Sequence, residues 1–124
     1  MGRFEPADFS LGDPNTIGGY RAAHGRPPAF EGSDGTSYSV EVVADTTGNP
    51  AAPYAAYLLF VRWRATDPVA MGHLETDFIE LGGSEAEVVE RLGRMALQSA
   101  REQLERLIPH GGPDPSSDRN GDSP

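Results

Sequence analysis

The chain contains no cysteine and no lysine, and its ten basic residues are all arginine, against nineteen Asp and Glu and a net charge of −9. Without cysteine there is no disulfide and no thiolate metal site, a composition that fits a reducing compartment. A field of this sign repels phosphate backbones and anionic membranes, and no Arg cluster longer than Arg62-Trp63-Arg64 opposes it. Nucleic acid and membrane are therefore not expected partners. Long apolar runs are missing as well: no window approaches 18 apolar residues, and Met1 to Pro6 lacks the apolar stretch of a secretory signal. The expectation is a cytoplasmic, acidic protein with no cofactor.

What the sequence has in excess is Gly and Pro, fifteen and eleven of 124 residues, concentrated towards the ends. Residues 1–36 contain Pro6, Pro14, Pro27 and Pro28 and seven glycines, which argues against a long helix or a regular strand there. They read as an extended N-terminal arm. Because Phe4, Phe9, Leu11, Ile17, Tyr20 and Phe30 recur through it, parts of the arm are expected to pack. Residues 109–124 carry no large apolar side chain and read as a disordered C-terminal tail.

Between them, residues 37–108 have the periodicity of an α+β domain. Tyr38, Val40 and Val42 alternate with Ser39 and Glu41, the pattern of a half-buried strand. Tyr54 to Ala65 is a run of aromatic, branched and apolar residues free of Gly and Pro, read as the central strand. Its odd positions Tyr57, Leu59, Val61 and Trp63 are all apolar, while its even positions pass from Leu58 and Phe60 to Arg62 and Arg64. A third strand spans about Ala70 to Leu81. Pairing that keeps apolar residues on one face sets Val42 by Tyr57, Val40 by Leu59, Val61 by Leu74 and Tyr57 by Phe78. Ser84-Glu85-Ala86-Glu87 is a capping box, and the apolar stripe from Val88 to Ile108 predicts one long helix, ended by Pro109. The fold expected is a three-stranded antiparallel meander with one long C-terminal helix on one face, βββα.

This order, with Gly83-Ser84-x-x-Glu87 at the helix start, resembles the HicB-type antitoxin domain over about residues 38–108. More loosely, it resembles the last part of double-stranded-RNA-binding domains. The resemblance implies an architecture and carries over no functional residue, since the basic residues that contact phosphate in RNA-binding domains have no counterpart here.

For chemistry, His73-x-Glu75-x-Asp77 places three potential metal ligands or acid–base groups on one strand face. Neighbours two apart on a strand lie roughly 7 Å apart, so three such groups do not close on one metal without distortion. The competing reading is a cross-strand charge ladder, with Arg62 beside His73 and both Arg62 and Arg64 near Glu75. Leu81-Gly82-Gly83-Ser84 lacks a phosphate-binding glycine pattern, and Glu85 and Glu87 put negative charge where an anion would sit. His24 and His110 read as solvated, and no serine lies in a nucleophile elbow.

One helix covers one side of a sheet. On the other side the expected surface has Leu58 and Phe60 at its centre, Val43 and Ile79 nearby, and Arg62, Arg64, Glu41, His73, Glu75 and Asp77 around them, the anatomy of an interface. The function expected is therefore protein–protein interaction, as a homodimer or an accessory subunit docking through the open sheet face, and not catalysis. The alternative is a metal-binding or catalytic domain using His73, Glu75 and Asp77.

Overall fold

A computed structural model describes residues 13–64 and 69–109. The element order is α1 (Ile17–His24), β1 (Ala29–Glu31), β2 (Ser37–Thr46), β3 (Tyr54–Trp63), β4 (Ala70–Glu75), β5 (Glu80–Gly82), α2 (Glu85–Gly93) and α3 (Leu97–Leu107). The protein is thus α+β. Its antiparallel sheet has five strands, however, and its helices number three among the described residues, where a three-stranded meander and one long helix were expected.

Two of the additional elements, α1 and β1, come from residues 13–36, which join the domain instead of forming an extended arm. Thr16 caps α1: its hydroxyl accepts from the Gly19 amide at 3.1 Å and donates to the Asp13 carbonyl at 2.6 Å. Gly19 is required there, because a Cβ at this position would collide with the Asp13 carbonyl. Gly25, at φ 69°, ends the helix with its amide on the Arg21 carbonyl. Then β1 pairs with the start of β2, Phe30 opposite Tyr38. An eight-residue helix with good caps and a three-residue strand fit between the prolines that exclude longer elements.

The long helix is divided for a related reason. Gly93 weakens the helix interior, and Ala96 is extended at ψ 146°. The segment before α1 occupies the break: the Ile17 amide donates to the Met95 carbonyl at 3.0 Å and the Leu97 amide to the Asn15 carbonyl at 2.8 Å. Backbone groups that would have bonded along one helix are thereby satisfied across the chain. Gly18 sits against Gly93, where a side chain would press on the Gly93 carbonyl.

The sheet runs β1-β2-β3-β4, with β5 following β4 along the same edge of β3. Its register differs by one residue from the expected one. Val40 stands opposite Phe60 and Val42 opposite Leu58, and Phe60 also stands opposite Leu74. A one-residue slip exchanges the two faces of a strand. The face of β3 that meets the helices is therefore the even set Ala56, Leu58 and Phe60, not the odd set. With Tyr38 and Val40 of β2, Val88 and Leu92 of α2, Ala100 and Leu104 of α3, and Ile17 and Ile108, these residues make the core. No described helix is long and apolar enough to cross a membrane.

Candidate functional site

The inverted register moves the expected interface. Leu58 and Phe60 are fully buried, and Ile79 packs against the same core, so none of the three is an open-face residue. Arg62 stands opposite Tyr38 at the end of the core face, where it approaches Asp34 at 3.8 Å and Thr36 at 3.4 Å. Arg64 follows the end of β3; it is exposed, and its amide donates to the Val69 carbonyl at 2.9 Å.

The face that the helices leave open is the odd one. Tyr57, Leu59, Val61 and Trp63 alternate along β3 with Val43 beside Tyr57 on β2, all partly exposed and all outside the core cluster. Ser39 and Glu41 flank Val61 and Leu59 from β2, and His73 and Glu75 flank them from β4. The Trp63 indole N–H donates to the Ser39 hydroxyl at 2.9 Å, which fixes the ring on this surface. Sequence pattern identified the right four side chains as one apolar row but assigned them to the helix side.

His73 and Glu75 form an ion pair at 3.1 Å when the imidazole is protonated. The ladder expected with Arg62 is not formed, because His73 stands opposite Val61 while Arg62 points to the other face. Among the described residues no three His, Cys, Asp or Glu side chains come together as a metal-binding group, so His73, Glu75 and Asp77 are not assembled into one.

Asp77 and Glu75 instead border an irregularity. Glu75 opposes Leu59 and Glu80 opposes Ala56, so four residues, 76–79, span the length of two on β3. The bulge is well pinned. The Thr76 amide donates to the Leu58 carbonyl at 3.0 Å, the Leu58 amide to the Thr76 hydroxyl at 3.0 Å, and the Ile79 amide to the Ala56 carbonyl at 2.8 Å. It turns Phe78 outward, 49% exposed, with its ring centroid 6.2 Å from that of Tyr57 and the planes at 43°. Beside the two rings lies a recess of about 310 Å³ lined by Asp45, Tyr57, Glu75, Thr76, Asp77 and Phe78. Alternation in the sequence reads straight through residues 76–79, which is why the bulge was not foreseen.

At the other end of the sheet, Tyr38, Asp34 and Arg62 form a structural network. The Tyr38 hydroxyl donates to Asp34 at 2.7 Å. Burial, with the Asp34 carboxylate beside it, pushes the Tyr38 phenol up to about 12. Burial also raises Asp34, but hydrogen bonds from Tyr38 and the Thr36 amide together with the Arg62 charge outweigh it and hold the carboxyl below its ordinary value.

The turn into α2 is filled by the protein itself. Ser84 accepts from the Glu87 amide at 3.1 Å, while the Glu87 carboxylate takes the Gly83 amide at 3.0 Å, one residue ahead of the usual capping-box donor. Arg91 reaches the Leu81 carbonyl at 2.6 Å and Glu87 at 3.3 Å. His24 is exposed, as expected, with its ring tilted at 41° beside that of Tyr20, centroids 4.3 Å apart; His110 lies outside the described residues.

Comparison with protein-family models, with curated proteins and with solved structures finds no match in any of the three.

Proposed function

We propose that this chain is a protein–protein interaction domain that self-associates through the open sheet face. The observation that carries this reading is the row Tyr57, Leu59, Val61 and Trp63, uncharged from end to end and outside the core, on the same strand whose other face is fully packed. Two sheets stack about 10 Å apart when both present such rows, and an uncharged row is complementary to itself under a two-fold axis. Three strands at the usual rise and spacing give a footprint of roughly 450 Å² per copy, at the small end of specific interfaces. The association is therefore weak and concentration-dependent. Each copy also carries a charge of −9, so added salt strengthens it by screening the repulsion.

Sedimentation equilibrium over a concentration series at low and at moderate salt tests this. A monomer–dimer balance that shifts towards dimer with salt is expected. Val61→Glu places a charge at the middle of the row and is expected to weaken the dimer at least about tenfold while leaving the circular dichroism spectrum unchanged. A chain that is monomeric at every concentration and salt overturns the reading.

A further inference from the structure

The recess beside the bulge holds chemistry that the core does not use, and among its lining residues it shares Tyr57 with the apolar row. A half-exposed phenylalanine set at an angle to a tyrosine is an open aromatic wall, and the bonds that pin residues 76–79 keep it in place. Around the wall stand the carboxylates of Asp45, Glu75 and Asp77, with no arginine lining the recess. Of its carboxylates, Glu75 also meets the His73 imidazole at 3.1 Å.

These features select a ligand by charge, size and shape. Aromatic faces and carboxylates both attract a cation, and the net charge of −9 raises the local concentration of cations. A metal ion is a poor fit, since no three of the described carboxylates and imidazoles come close enough to share one. The ligand must therefore span from ring to carboxylate, and a flat group uses the ring face best. A guanidinium is planar, stacks on aromatic rings and offers paired N–H donors to carboxylates, whereas an ammonium is a strongly hydrated point charge. We propose that the recess formed by Tyr57, Phe78, Asp45, Glu75 and Asp77 binds a guanidinium group, either of a free alkylguanidine or of an arginine side chain on another protein. This site shares Tyr57 with the apolar row, so its binding is measured at a concentration where the chain is monomeric.

The test is a nuclear magnetic resonance titration of the full chain that follows the ring signals of Tyr57 and Phe78. Propylguanidinium, propylammonium and magnesium chlorides are compared at one ionic strength, alongside a blocked Gly-Arg-Gly peptide. Saturable shifts with propylguanidinium, weaker ones with propylammonium and none with magnesium are expected. Phe78→Leu, which keeps an apolar side chain but no ring, is expected to weaken propylguanidinium binding about two- to five-fold, the size of a solvent-exposed cation–π contact. Asp77→Asn is expected to weaken it as well. Tighter binding of the peptide points to a protein arginine as the source, and equal binding to a free guanidine; both support the assignment. Shifts that magnesium reproduces, equal affinity for the ammonium, no saturable shift with either guanidinium probe, or a Phe78→Leu variant that binds as well as the parent overturns it. Val61→Glu, which tests self-association, is expected to bind propylguanidinium with unchanged affinity, so the two readings fail separately.

Discussion

The two faces of β3 differ less in their residues than in their surroundings. Ala56, Leu58 and Phe60 are completely buried, whereas Tyr57, Leu59, Val61 and Trp63, the longer apolar row, stay partly exposed and outside the core. Hydrophobic alternation marks a surface that gains from being covered, without specifying what covers it. The choice was made by the neighbours. On β2 the residues beside the even set are Val40 and Val42, while those beside the odd set include Ser39 and Glu41; on β4 they are Leu74 against His73 and Glu75. A core can close over the first group without burying a charge.

The sharpest way to break this comparison is to truncate adjacent residues on opposite faces. Phe60→Ala leaves a cavity against Val40, Leu74 and the helices, and is expected to cost about 3–5 kcal/mol, enough to unfold much of a small domain. Val61→Ala removes a partly exposed side chain from the apolar row and is expected to cost about 1 kcal/mol or less. Urea unfolding of both variants, at a concentration where the chain is monomeric, measures the difference. Equal costs would mean that both faces are covered within one copy.

That asymmetry also explains how much was legible in the sequence. The inward set of β2, Leu74 on β4 and the start of α2 at Ser84 follow local rules, and the structure contains them, whereas Phe78, expected on the same inward face, is turned outward by the bulge. Parity of the central strand does not follow a local rule. It depends on the connection between Thr46 and Tyr54, which closes with the Thr47 amide on the Pro53 carbonyl at 3.0 Å, and a loop of that length lacks the turn chemistry that sets register in a tight hairpin. Shifting the pairing by one residue was enough to exchange Leu58 and Phe60 for Leu59 and Val61 as the open-face residues. The break at Gly93 to Ala96 was hidden for another reason: the segment that satisfies it comes from Asn15 and Ile17, some eighty residues earlier in the chain. The bulge at 76–79 was hidden because Thr76 substitutes a side-chain hydroxyl for a ladder carbonyl.

A smaller effect sharpens the comparison at the polar end of the buried face. Tyr38 is buried with its phenol bonded to Asp34, and its folded value of about 12 lies above the ordinary value of 10.0. The neutral phenol is therefore favoured in the folded state. Its contribution is fully present below about pH 10 and is lost as pH rises through about 12. Tyr38→Phe is expected to cost about 1 kcal/mol near neutral pH, the net worth of one hydrogen bond, and to flatten the fall in stability across that alkaline window. Urea midpoints at pH 7, 9.5 and 11 measure both. A parent chain whose stability is level between pH 9.5 and 11 would contradict the placement of Tyr38 beside an ionised Asp34.

The open face has its own polar aromatic, and there the expected effect is smallest. Trp63 is the single tryptophan of the chain, and its indole N–H donates to Ser39. Ser39→Ala removes the acceptor, but the ring is partly exposed, so water takes its place and the cost is expected to stay below about 1 kcal/mol. The same exposure makes the emission of Trp63 a reporter of what lies over the face. In the monomer it is expected at the wavelength of a partly hydrated indole, and it should move to shorter wavelength as concentration and salt rise, because a second sheet laid over Trp63 excludes water from it. In Val61→Glu the emission should stay unchanged over the same range. A Trp63 spectrum independent of concentration in a chain that nevertheless dimerises would place the dimer contact elsewhere, with the β2 edge beyond its pairing with β1 as the next surface to test.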